Sequence, residues 1–100
     1  MPTLYVTAPP DDARGLATDL VDERLAACVN VLECQSIYRW DGEVHDEPER
    51  VLLVKTTEDA CDRCSEWIEQ HHPYDVPCIE RFDEDVLSPA FEQWREREVE

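Results

Sequence analysis

The hydrophobic pattern along the chain is anchored by Val51-Leu52-Leu53-Val54, which runs into Lys55 and Thr56. Four apolar positions in a row predict a strand buried on both faces, because a half-exposed strand would carry a polar residue at every second position. Before it, Thr3-Leu4-Tyr5-Val6-Thr7 predicts a short first strand ended by Ala8-Pro9-Pro10. Asp11 or Asp12 offers an N-cap, and Ala13, Leu16, Ala17, Leu20, Val21 and Leu25 recur at three- and four-residue steps, predicting an amphipathic helix over about 12–26. Gly15 lies early in that helix and marks a candidate close approach of backbone.

An extended segment follows from Cys28 to Trp40, and Asp41-Gly42 is a strong hairpin signal. The chain returns through Glu43-Val44 and the acidic Asp46-Glu47-Pro48-Glu49 into the core strand, forming a ribbon longer than a compact monomer needs. Thr57 is the expected cap of a second helix over about 58–71, with Ala60, Cys61, Cys64, Trp67 and Ile68 inward and Pro73 as its stop. Val76-Pro77-Cys78-Ile79 begins a fourth strand, whose proline suits an edge or a strand start. Ser88-Pro89 opens a last helix, with Ala90, Phe91 and Trp94 on one side. The order β-α-β-β-α-β-α over a single domain, residues 1–100, predicts an α+β, ferredoxin-like fold with an additional C-terminal helix. The two longer helices cover one sheet face. The cheapest cover for the other is another copy of the protein.

Charge changes the picture of partners. The chain has 25 Asp and Glu against 9 Lys and Arg, a net charge of −16. Such a field repels phosphate backbones, which excludes nucleic acid and anionic membrane as expected partners. Either the charge attracts cations, or it adapts the surface to high salt, where screening makes self-repulsion tolerable. The scarcity of lysine favours the second reading, a halophilic cytoplasm. No apolar run approaches the ~20 residues of a membrane span, and the N-terminus has no secretory leader pattern. A cytoplasmic location and reduced thiols are therefore expected for the five cysteines.

Four motifs then resemble one family. Glu23-Arg24-Leu25-Ala26-Ala27-Cys28-Val29-Asn30, Ser36-Ile37-Tyr38-Arg39-Trp40-Asp41-Gly42, the segment Glu49 to Thr57, and His71-His72-Pro73-Tyr74-Asp75-Val76-Pro77 look, in this order, like the divalent-cation tolerance family, CutA. The resemblance implies a ferredoxin-like, PII-like homotrimer linked to copper and other divalent metal ions. It implies that His71 and His72 are the metal residues, with Cu(II) or another divalent cation as ligand and no cofactor required. It also implies that Trp40, Glu49, Lys55 and Tyr74 line a cleft between subunits, which leaves a PII-like small-ligand sensor as the alternative function. Two positions depart from the family pattern: Val6 stands where some members carry a first-strand cysteine, and Cys78 where Glu is usual after the histidine motif.

Each site has a structural alternative. Cys61-Xaa-Xaa-Cys64 has metal or redox spacing, but within a helix, on the Ile68 stripe, it suits core packing. Adjacent His71 and His72 diverge by about 100° on a helix. They can share an ion only where Pro73 pulls the backbone out of helical geometry. Otherwise they cap the helix end. His45 is expected to be solvated. Lys55, the only lysine, either holds an anionic ligand or pairs with Glu49 or another carboxylate at a subunit boundary. No phosphate loop or nucleophile motif is present, so a binding protein rather than an enzyme is expected.

Overall fold

The computed structural model describes residues 1–100. Its elements are β1 (Pro2–Ala8), α1 (Pro10–Asp22), β2 (Cys28–Trp40), β3 (Glu43–Lys55), α2 (Cys61–His71), β4 (Ile79–Asp83) and α3 (Pro89–Glu98). The strands form one antiparallel sheet in the order β2-β3-β1-β4. This is the ferredoxin-like arrangement that the element order predicts, extended by α3.

The helix boundaries differ from the sequence reading. α1 begins at Pro10, with Pro9 as an N-cap that makes no side-chain bond, because proline is already set for the first helical turn. It ends at Asp22, four residues earlier than expected. Arg24 takes a left-handed φ of 57°, and Leu25 and Ala26 donate back to the Leu20 carbonyl. Thr57 caps nothing: a turn intervenes, and α2 starts after Ala60 without a side-chain cap. A Cβ at Gly15 would meet nothing within 4 Å, so no close approach occurs there. β4 begins at Ile79, after Pro77 and Cys78. Asp41 and Gly42 both adopt positive φ, 50° and 79°, as the tight hairpin requires.

The core lies on one sheet face. Leu4, Val6 and Ala8 of β1 and Leu52 and Val54 of β3 pack against Ala13, Leu16, Ala17 and Leu20 of α1 and Cys61, Cys64 and Ile68 of α2. Strand alternation sends the neighbours of these residues to the opposite face. Val51 and Leu53 therefore point away from the helices, in register with Thr7 and Tyr5, and are only half-buried. The Val51–Val54 run has two apolar faces, as expected, but this chain covers one of them. β2 and β3 pair from Cys28↔Lys55 to Trp40↔Glu43, whereas β1 reaches no further along β3 than Arg50. The outer half of the ribbon thus projects beyond the sheet.

α3 does not pack through the aromatic side the sequence suggested. Phe91 is exposed and pairs with Trp94 at 5.6 Å between ring centroids, while Arg95 is the helix's buried residue. Its guanidinium donates to the Thr56 carbonyl at 2.7 Å, to the Pro2 carbonyl and to Glu84 Oε2 at 2.9 Å. That set closes the end of the sheet.

Candidate functional site, a groove at the base of the ribbon

Where the ribbon leaves the sheet, the open face bounds a groove of about 790 Å³. β1 supplies Tyr5 and Thr7, β2 supplies Tyr38 and Trp40, β3 supplies Glu49, and the segment after α2 supplies Tyr74. Antiparallel register explains the grouping. Glu49 lies opposite Cys34, so Cys34, Ser36, Tyr38 and Trp40 share its face of the sheet. The tyrosine hydroxyl of Tyr74 donates to Glu49 Oε2 at 3.0 Å, across 25 residues of sequence. Burial, followed by the bond to Glu49 and its charge, pushes the Tyr74 phenol well above its ordinary pKa. Tyr38 donates to Glu47 at 3.1 Å, and that bond is the main cause of its own upward shift.

His72 holds Tyr74 in place. α2 ends there: His72 is already extended (φ −74°, ψ 140°), as the following proline demands. Its Nδ1 accepts from the Tyr74 backbone N–H at 3.0 Å, which leaves Nε2–H to donate to the Thr7 carbonyl at 2.8 Å. Both ring nitrogens are therefore occupied, and the imidazole ties the loop to β1. His71 behaves differently. It is exposed, its ring stacks on Trp67 at 4.0 Å between centroids, and Nδ1–H donates to the Trp67 carbonyl at 2.7 Å. Its Nε2 faces no protein partner. In this arrangement the two imidazoles do not converge, and no group of three or more His, Cys, Asp or Glu side chains is gathered to hold a metal ion.

Of the four cleft residues, the chain brings Trp40, Glu49 and Tyr74 together and leaves Lys55 apart. Lys55 shares the open face with Glu49 but lies six residues further along β3, roughly 20 Å away. Any pairing of the two therefore needs a second copy. His45 stacks on Tyr38 at 5.2 Å and lies 3.7 Å from Glu47, on the projecting ribbon rather than free in solvent. Cys61 and Cys64 are buried core residues. Burial pushes the Cys64 thiol up to about 12, the opposite of the depressed value a reactive or metal-binding thiolate needs. Tyr5 and Thr7 are additional lining residues. In sequence they read only as first-strand residues, and period-two alternation was the one signal that placed them on the open face.

An antiparallel four-stranded sheet with two helices on one face and a third helix sealing its end defines a ferredoxin-like α+β protein with an unpaired second face. The family profile of the CutA1 divalent ion tolerance protein matches residues 3–98, and the chain belongs to that family. It is 50% identical over 78 residues to the divalent-cation tolerance protein CutA of Thermus thermophilus, covering 76% of each chain. The crystal structure of CutA1 from Pyrococcus horikoshii superposes with a TM-score of 0.95 at 34% identity, covering 100% of this chain and 99% of that one. The PII-like protein CutA from Nostoc sp. PCC 7120, in apo form, gives 0.96 at 29% identity over 100% and 98% of the two chains.

Proposed function

We propose that this chain is a non-catalytic, cytoplasmic binding protein of divalent-cation tolerance, working as a homotrimer and taking up Cu(II) or a related divalent ion. The observation that carries the metal reading is the free Nε2 of His71 on the exposed end of α2. Neutral imidazole is a preferred ligand for copper, and a free lone pair on a surface of charge −16 can recruit carboxylates as further ligands. His72 contributes by fixing the loop, not by coordination. Assembly is supported by the sheet's second face, where Tyr5, Val51 and Leu53 are half-buried and Leu32 and Phe82 exposed. Names of relatives such as the Thermus thermophilus protein support the cation-tolerance role.

Cu(II) titration of single variants tests this. His71→Ala should lose most of the affinity, and His72→Ala should retain it in whatever fraction remains folded. Equal affinity in His71→Ala removes the site.

A second reading is favoured by the groove itself: a PII-like small-ligand sensor with metal binding incidental. Its concave, partly aromatic lining with few polar groups is the ordinary character of a small-molecule site.

A further inference from the structure

Glu49 is the least expected side chain in the groove. It is 6% exposed, although carboxylates are rarely buried without a partner. The close cation–carboxylate contacts of the chain engage Arg24, Arg50, Arg81, Arg95, Arg97 and His45, the last beside Glu47, and none of them reaches Glu49. Arg50, its neighbour in sequence, turns its side chain away: one nitrogen donates to the Glu49 backbone carbonyl and the other lies 3.6 Å from Glu33. The Glu49 carboxylate thus keeps a single bond, the one Tyr74 gives to Oε2, while Oε1 has no donor. Oε1 is not sealed in the interior but stays open to the groove, so a carboxylate held by one neutral hydroxyl offers a counter-charge to a cation that enters there.

The walls narrow the class of that cation. Tyr38 and Trp40 stand on the same sheet face as Glu49, and Tyr74 closes the side from the loop. Aromatic faces attract cations through their quadrupoles, most strongly when the cation is shed of water. The groove's other charged residues are Asp75 and Arg39, and Arg39 is exposed and directed to the Gly42 carbonyl at the ribbon tip. The three tyrosines at the groove, Tyr5, Tyr38 and Tyr74, all have phenol pKa values moved upward. Burial is the main cause for Tyr5 and Tyr74, and hydrogen bonding to Glu47 for Tyr38. For all three, the Glu49 charge contributes. An anion would meet that negative field directly, and a bare metal ion would find too few ligating side chains.

We infer that the groove binds a small organic cation, a protonated amine or quaternary ammonium, with Glu49 as its counter-charge and Trp40, Tyr38 and Tyr74 as its aromatic walls. This rests on the small-ligand reading of the groove and supplies the ligand class.

Choline titrated into the full-length protein tests the inference, with 3,3-dimethylbutan-1-ol as its uncharged isostere and citrate as an anion. Calorimetry and thermal shift give the readout. Choline should bind and raise the melting temperature, with the isostere weaker by roughly tenfold or more, since charge and cation–π attraction are both lost. Glu49→Gln and Trp40→Ala should each cost choline roughly tenfold in affinity while circular dichroism shows an unchanged fold. Tyr38→Phe keeps the ring and should keep binding. Equal affinity for choline and its isostere overturns the inference, as does undiminished choline binding by Glu49→Gln. Choline binding that emerges only in Lys55→Met overturns it too, because the lysine of a second copy then fills the cation position. Citrate binding that depends on Trp40 refutes the cation and leaves the small-ligand reading standing, whereas silence from all three compounds removes both. The groove residues named here come from one chain, Lys55→Met reports whether a second copy reaches them, and Cu(II) binding at His71 is read separately.

Discussion

The guanidinium of Arg95 lies 2.9 Å from the carboxylate of Glu84 and is 99% buried by the end of the sheet, with a side-chain exposure of 1% against 35% for its partner. One cation there satisfies the Thr56 and Pro2 carbonyls as well as Glu84, and its Nη2 also lies 3.3 Å from the Thr3 hydroxyl. Thr3 in turn donates to Glu84, and the N-terminal ammonium donates to the Glu84 backbone carbonyl at 2.8 Å. The first strand, the end of β3 and the last helix are therefore joined through one side chain.

Arg95→Met should cost about 2–4 kcal/mol, because it removes one partner of a buried pair and leaves two backbone carbonyls unsatisfied. Chemical denaturation of the purified protein gives the value. A loss below about 1 kcal/mol contradicts the role assigned to Arg95, since that is the scale of a surface pair.

Glu84 gives the same cluster a pH dependence. Burial pushes its carboxyl up, but the Thr3 and Arg95 bonds outweigh burial and hold it below the ordinary carboxylate range. A depressed folded pKa means the unfolded chain binds the proton more readily. The contribution is thus complete above the ordinary carboxylate range and is lost as pH falls through the folded value. Melting curves of the unmodified protein and Glu84→Gln should differ near neutrality and converge under acid. A gap that widens as the pH drops shows the sign to be wrong.

Leu52 and Leu53 are adjacent but should fail differently. Leu52 is fully buried under the helices, and Leu52→Glu places a charge in the core. That variant should not fold. Leu53→Glu alters the open face and should yield a folded chain of lower mass by light scattering. A trimer that survives Leu53→Glu places the interface elsewhere.

Thiol reactivity separates the cysteines. Cys64 is fully buried and its thiol is pushed up to about 12 by burial, with Cys61 adding to the shift. Iodoacetamide at mild alkaline pH should spare Cys61 and Cys64 and modify the half-buried Cys34 and Cys78 more readily. Mass spectrometry of the labelled peptides reads the order directly. Rapid labelling of Cys64 in the folded protein contradicts its place in the core.

The element order follows from the sequence alone because each element is written locally. Hydrophobic period marks α1 and α2, Asp41-Gly42 marks the hairpin, and Pro73 and Pro89 mark a helix end and a helix start. Helix ends are less legible. The energies that decide whether α1 stops at Asp22 or continues to Ala26 are small, and the left-handed turn at Arg24 settles it. The double-faced character of Val51–Val54 is also local, since it needs only alternation. Which of its faces the helices cover needs the pairing of β3 with β1, and register is a property of two strands.

The groove belongs wholly to tertiary structure. Glu49 and Tyr74 meet across 25 residues, and His72 and Thr7 across 65. Nothing in the spacing of His71 and His72 tells that one ring is fully bonded and the other keeps a free nitrogen. Arg95 is the clearest case. In sequence it is one charge in Trp94-Arg95-Glu96-Arg97, indistinguishable from a solvated helix face. It becomes structural only because the ends of β1 and β3 present carbonyls with no strand partner, and a buried carbonyl without a donor is costly enough to draw a cation inside.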